Sequence, residues 1–128
     1  MRAWILILGS IIAINSYAYE KVFYCTYQSN ECVEPNAPVA IKNDEIDELI
    51  ERVGVMKNNF IGLIDADGTT LQFFVDAINE IWMEIPAPSE KGSYGKQIKE
   101  AEMRSIIRNL EAPYLTYKKT LNLNFLAW

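Results

Sequence analysis

Between Asn58 and Ile85 the chain alternates short apolar runs with turn-forming residues. The first two runs are separated by Asp65–Gly68, which supplies carboxylates that can cap a turn and a glycine that can adopt positive φ. The third run alternates strictly, with Glu80, Trp82 and Glu84 on one face of a strand and apolar side chains on the other. These patterns predict a β-hairpin followed by a third strand, forming an antiparallel meander.

Two segments outside the meander repeat apolar residues at the spacing of an amphipathic helix. The first begins at the polar cap Asn43 and ends at Gly54, a glycine where a C-terminal cap belongs. The second is predicted from Lys99 to about Leu110 and is terminated by Pro113. The predicted buried positions are Ile46, Leu49, Ile50 and Val53 in the first helix, and Met103, Ile106, Ile107 and Leu110 in the second.

Further strands are indicated near both ends of the chain. Residues 20–28 are rich in aromatic and β-branched side chains, which favour a strand. Leu121, Leu123 and Phe125 alternate, which predicts a short last strand or a packed tail, with Trp128 docked on the domain or exposed as an anchor. The sequence therefore predicts an α+β fold, in which a small antiparallel sheet packs with two helices. The sheet would consist of the three-stranded meander plus one or two further strands.

The segment after the meander is predicted to be irregular. Pro86 and Pro88 should end the third strand abruptly, because proline cannot donate a hydrogen bond to a sheet ladder. Residues 90–95, EKGSYG, are predicted to form a flexible loop with two glycines. This loop lacks the spacing and the helix entry of phosphate-binding motifs, so no phosphate site is expected there.

The first eighteen residues have the three parts of a secretory signal peptide. Arg2 gives a positive start, residues 5–14 form an apolar run, and Ala18 follows as the small residue before the cleavage point. A retained anchor or a buried helix is the alternative, although ten apolar residues are too few to span a bilayer as a helix. We expect cleavage before Tyr19, a single domain over residues 19–128, and a periplasmic location.

The balance of charge limits the kind of partner. The 128 residues include 12 basic and 17 acidic side chains and no histidine, and loss of Arg2 with the signal peptide leaves a net charge of −6. An acidic protein repels nucleic acid and anionic lipid and attracts basic protein surfaces. We therefore expect a basic protein partner, no nucleic acid, and no stable membrane insertion after signal cleavage. The missing histidine removes the commonest general base and metal ligand, so no cofactor or metal is expected.

Cys25 and Cys32 are the only cysteines. In an exported chain a pair this close predicts a disulfide bond. The alternatives are a redox pair, for which the spacing is wrong, and a metal site, for which two thiolates without histidine are too few.

Two pairs of carboxylates resemble catalytic or metal-binding patterns only superficially. Asp65 and Asp67 precede Gly68, but a calcium loop of the EF-hand type has its glycine at the sixth position rather than the fourth, which favours turn capping. Glu80 and Glu84 lie four residues apart on one predicted strand, about 13 Å, which exceeds the separation that glycoside hydrolases use. The sequence therefore indicates a binding protein and not an enzyme.

The predicted binding surface consists of Trp82 with Glu80 and Glu84 in the third strand, and Asp65 and Asp67 at the hairpin tip. A tryptophan flanked by acids suits a basic protein partner, because aromatic residues dominate binding hot spots and charge steers the encounter. The alternative is that Trp82 is buried beneath a helix and that both faces of the meander are covered.

From about residue 41 onward, seven short pieces of the chain follow a recognisable order. The pieces are Ile46–Val53, Asn59–Ile61, Leu71–Phe73, Trp82–Ile85, Lys91–Ser93, Glu102–Leu110 and Leu126–Trp128. This order of helix, meander, glycine-serine loop, second helix and Leu/Trp-rich ending resembles the immunity proteins of bacterial polymorphic toxin systems, especially the large family numbered first among them. The resemblance covers roughly two-thirds of the chain.

The resemblance implies a protein that is not an enzyme and that blocks one cognate toxin, often by covering the active site of the toxin. Many such proteins are cytosolic, whereas this chain has a signal peptide and a cysteine pair. The implied toxin would therefore act in the periplasm, for example on peptidoglycan or membrane lipid. The alternative functions are a periplasmic inhibitor of lysozyme or another basic hydrolase, and a small hydrolase or ligand-binding enzyme.

Overall fold

Seven strands pair in one sheet, and every neighbouring pair is antiparallel. The computed structural model describes residues 18–128, so the predicted signal peptide lies outside the described residues except for Ala18. The order across the sheet is β2-β1-β3-β4-β5-β6-β7. The strands are β1 Lys21–Thr26, β2 Glu31–Val33, β3 Phe60–Ile64, β4 Thr70–Ala77, β5 Glu80–Ala87, β6 Gly92–Ile98 and β7 Asn124–Ala127.

The two predicted helices are present within a residue or two of their expected limits. Helix α1 spans Asn43–Val53 and is followed by Gly54, whose N–H donates to a carbonyl oxygen in the last turn. Helix α2 spans Glu100–Arg108. A short helix, α3, follows at Tyr117–Thr120. Among residues 18–128, no helix combines the length and the apolar composition needed to cross a membrane.

Both long helices pack on one face of the sheet and bury it. The apolar stripe of α1 is buried as predicted, and Met103 and Ile107 of α2 join the same cluster. From β5 this face receives Ile81, Met83 and Ile85, each fully buried. An antiparallel sheet covered by helices on one face is the predicted α+β class, although the sheet has seven strands where four or five were expected.

The meander forms as the alternation predicted. Strands β3 and β4 pair in register from Phe60↔Phe74 to Ile64↔Thr70, and the tight turn between them carries Gly68 at φ +83°. In β5 the burial alternates residue by residue, with Ile81 inside and Trp82 on the opposite face. The hairpin and the orientation of the third strand are therefore confirmed.

The predicted loop at residues 90–95 is wrong, because most of it belongs to β6. Gly95 pairs with Glu84 of β5, and a Cβ atom at Gly95 would lie 2.7 Å from Cζ2 of Trp82. At Gly92 an added Cβ would overlap the ring of Phe125 in β7. These glycines let aromatic rings from neighbouring strands lie against the backbone, which is a known role of glycine inside a sheet.

Two smaller expectations also need correction, one at the end of β5 and one at Trp128. Strand β5 continues through Pro86 to Ala87. The last pair between β4 and β5 is Gln72↔Glu84, so Pro86 lies beyond that ladder and its missing N–H leaves no gap in it. Trp128 docks by its main-chain N–H, which donates to the carbonyl oxygen of Lys91, but its side chain is exposed.

Candidate partner-binding surface

The face of the sheet opposite the two helices, here called the outer face, carries a row of aromatic side chains. The strand registers place Phe60, Phe74 and Trp82 side by side on β3, β4 and β5. Phe74 is 37% exposed, and Phe60 and Trp82 are half-buried. A row of partly exposed aromatic residues on a regular scaffold is a typical feature of protein-binding surfaces.

Two of the aromatic rings on the outer face lie over glycines of the neighbouring strand. Phe23 of β1 covers Gly62 of β3, since any Cβ atom at Gly62 would overlap the Phe23 ring. Trp82 covers Gly95 of β6 in the same way. The glycines therefore leave room for both rings to approach the backbone of the sheet.

Between these two rings lies a polar pair, Gln72 and Glu84, which are register partners on β4 and β5. The indole N–H of Trp82 donates to Oε1 of Glu84 at 2.9 Å. The side-chain amide of Gln72 donates to Oε2 of the same carboxylate at 3.0 Å. One neutral donor is thus fixed on each oxygen, and the Glu84 side chain is held in a single position.

A shallow hollow of about 210 Å³ lies beside this polar pair. It is walled by Phe23 and Pro35 on one side and by Phe74 and Trp82 on the other, with Phe60 between them. The exposed side chains of Tyr27 and Met56 extend the apolar surface beyond Phe74 and Phe60. The outer face therefore offers an apolar hollow, and the fixed carboxylate of Glu84 is hydrogen-bonded to two of the residues that line it, Gln72 and Trp82.

The helical side of the molecule uses its charges internally. Arg104 of α2 lies 3.3 Å from a carboxylate oxygen of Glu51 in α1, and Arg108 lies 3.1 Å from Asp47. Arg52 of α1 pairs with Glu31 of β2. These pairs link α1 to α2 and to the edge of the sheet. All three arginines within residues 18–128 are engaged in this way, whereas no salt bridge in the same range involves Glu84.

The five residues predicted to form one binding surface do not lie together. Trp82 and Glu84 are in contact on the outer face, whereas Glu80 lies at the turn between β4 and β5 and Asp67 at the turn between β3 and β4. These turns are at opposite ends of β4, about 23 Å apart for an eight-residue strand.

Asp65 is not part of an exposed tip, so its predicted surface location is wrong. Its side chain is only 3% exposed. Oδ1 accepts hydrogen bonds from the main-chain N–H groups of Asp67 and Thr69, and Oδ2 accepts one from Tyr114. The turn-capping role predicted against calcium binding is the one observed, and it buries the carboxylate.

The alternative in which a helix covers Trp82 does not apply, because both long helices lie on the other face of the sheet. Gln72, Phe74 and Phe23 were missed as members of the surface, since sequence alone does not show which strands lie side by side. One signal was available. Gln72 and Phe74 alternate with buried Leu71, Phe73 and Val75, and this alternation places them on the exposed side of β4.

Cys25 and Cys32 form the predicted disulfide bond, which joins directly opposed residues of β1 and β2. Cys25 is the neighbour of Phe60 across the sheet, so the disulfide borders the aromatic row. Within residues 18–128, no group of three or more histidine, cysteine, aspartate or glutamate side chains is placed to hold a metal ion.

Comparisons with protein-family models, with curated protein sequences and with solved structures found no match for this chain.

Proposed function

We propose that this protein is an immunity protein that binds a cognate secreted toxin in the periplasm and blocks it with the outer face of its sheet. The observation that carries the proposal is the outer face itself. Phe60, Phe74 and Trp82 form a partly exposed aromatic row on the face opposite the two long helices, and the fixed carboxylate of Glu84 lies beside it. Aromatic residues are enriched at protein interfaces and tryptophan among binding hot spots, and an oriented charge beside them adds specificity for a partner of opposite charge.

Two further features support a periplasmic protein partner. The Cys25–Cys32 disulfide suits an oxidising compartment. The net charge of −6 over residues 19–128 favours encounter with a basic protein. The order of elements that resembles polymorphic-toxin immunity proteins adds the toxin as the kind of partner. Because such a protein acts by covering its target, it needs a rigid surface and no catalytic groups.

The experiment is a paired protection and binding assay with the product of the adjacent gene. Cells that express this candidate toxin in the periplasm should survive when they also produce the protein, and the two proteins should co-purify as a 1:1 complex. Trp82→Ala should abolish protection and weaken binding at least about a hundredfold, as expected for a central aromatic anchor. Trp128→Ala is the matched control, because it removes an exposed tryptophan outside the aromatic row.

A neighbouring gene product that is not toxic, or Trp82→Ala that protects as well as the wild type, would contradict the proposal. The same purified protein should be assayed against lysozyme and other basic hydrolases. Inhibition there without a toxin partner would identify a hydrolase inhibitor instead.

A further inference from the structure

We propose that Glu84 and Trp82 together form a receptor for one arginine side chain of the partner. The inference rests on the proposed function in taking the partner to be a basic protein, and it specifies which group of that protein the outer face recognises. The guanidinium would stack on the accessible part of the Trp82 indole, which lines the apolar hollow, and pair with the Glu84 carboxylate beside it.

The hydrogen bonds of Glu84 leave it able to accept more. An ionised carboxylate has about four acceptor positions, of which Trp82 and Gln72 use one on each oxygen. Both donors are neutral, so they orient the carboxylate without cancelling its charge. A guanidinium supplies two parallel N–H donors and a positive charge, which matches the two remaining acceptor positions.

The surroundings of Glu84 strengthen its attraction for a cation. Its side chain is half-buried beside the aromatic wall of the hollow, where charges are screened less than in open water. Within residues 18–128, Glu84 takes part in no salt bridge, although seven such bridges occur elsewhere. The carboxylate is therefore fixed by neutral donors and is available to a cation of a partner.

The position of Trp82 selects arginine over lysine. The edge of the indole lies over Gly95, and the ring is half-buried and lines the hollow. A planar guanidinium can stack on the accessible part of the ring and pair with Glu84, whereas an ammonium group is a compact, strongly hydrated charge that gains less from stacking.

A second copy of this chain is a poor source of that arginine. Arg52, Arg104 and Arg108 are each paired with carboxylates of the helices or of β2, and a contact with Glu84 would break those pairs. The net negative charge also opposes association of two copies. A foreign basic protein is therefore the occupant that the charges favour.

The test uses blocked amino acids as probes, so it does not depend on knowing the toxin. Nα-acetyl-arginine amide, the lysine equivalent, and the neutral isostere Nα-acetyl-citrulline amide would be titrated at constant ionic strength. The indole N–H signals of Trp82 and Trp128 would be followed by NMR, with Trp82→Phe to assign them. The arginine probe should shift the Trp82 signal saturably at millimolar concentration, lysine less, and citrulline and the Trp128 signal hardly at all.

Glu84→Gln is the decisive variant, because a glutamine oxygen can still accept from Trp82 while the charge is lost. It should abolish the arginine-dependent shift and weaken binding to the toxin at least about tenfold. Glu80→Gln, the same change at the exposed end of β5, should alter neither. An arginine shift no larger than that of citrulline, or one that survives in Glu84→Gln, would overturn the receptor.

The two proposals fail in different ways. If the neighbouring gene product is neutralised but the arginine probe leaves Trp82 unchanged, the immunity function stands and the arginine receptor is wrong. If the probe binds as expected but no toxin is bound or blocked, the receptor stands and the immunity function is wrong.

Discussion

The Asp65 carboxylate accepts a hydrogen bond of 3.0 Å from the main-chain N–H of Tyr114. This bond connects the β3–β4 turn to a segment 49 residues further along the chain. The Tyr114 side chain is fully buried. One buried aspartate therefore closes its own turn and fixes the segment that follows α2. The main chain before β7 is positioned by this contact.

Replacing Asp65 by alanine should reduce the free energy of unfolding by about 2–4 kcal/mol, because it leaves three main-chain N–H groups without their acceptor. Asp67→Ala in the same turn is the control. Its side chain is exposed, so a change within about 0.5 kcal/mol is expected. Urea unfolding followed by circular dichroism measures both. Equal losses for the two variants would show that the carboxylate of Asp65 does not fix the C-terminal segment.

Stability should fall at alkaline pH because of Tyr114. Burial raises the pKa of the Tyr114 hydroxyl well above its ordinary value of 10, and the carboxylate of Asp65 raises it further. The folded protein keeps this proton while the unfolded chain releases it above pH 10, so the contribution is complete below pH 10 and declines above it. The decline attributable to Tyr114 is at most about 1.4 kcal/mol per pH unit.

The variant Tyr114→Phe isolates this effect. Urea unfolding from pH 8 to 11.5 should show the wild type losing stability relative to the variant above pH 10, since phenylalanine has no proton to lose. Tyr117, whose pKa is also raised by burial, remains in both proteins and cancels in the difference. A difference that stays constant over the whole range would contradict the assignment to Tyr114.

The sequence was sufficient to predict the elements whose periodicity is local. Helix α1, the hairpin at Gly68 and the inward face of β5 follow from residue spacing alone. Strand β6 was missed because Gly92 and Gly95 are typical of a loop when considered alone. They belong to a strand because Phe125 and Trp82 lie over them, and those rings come from other strands.

The same limitation explains the candidate surface. Trp82 and Glu84 were identified because they alternate within one strand, whereas Gln72 and Phe23 join them only through the pairing of four strands. Asp67 was grouped with them on the basis of charge, and the length of β4 separates it from Glu80. Charge and residue type predicted the kind of surface, and the register between strands determines its members.

The packing of Phe23 on Gly62 predicts a specific pair of variants. Gly62→Ala should cost about 1–3 kcal/mol, because the new methyl group would overlap the Phe23 ring. Phe23→Leu replaces that ring by a shorter aliphatic side chain. The double variant should therefore be at least about 1 kcal/mol more stable than the sum of the single changes predicts. A double-mutant cycle from urea unfolding measures this coupling. Strict additivity would mean that the ring does not lie over the glycine.

Reduction of the Cys25–Cys32 disulfide should weaken the fold without abolishing it. The closed loop is short, with the cysteines seven positions apart, so the chain-entropy estimate is about 2–3 kcal/mol. Urea unfolding with and without dithiothreitol should show this loss in the wild type. The variant carrying Cys25→Ala and Cys32→Ala should not respond to the reductant at all. A larger loss in the wild type, or a binding defect on reduction that matches Trp82→Ala, would show that the bond also fixes the neighbouring aromatic row. We expect reduction to lower stability by this amount and to leave binding intact, because Phe60 is held between β1 and β4 by pairing on both sides.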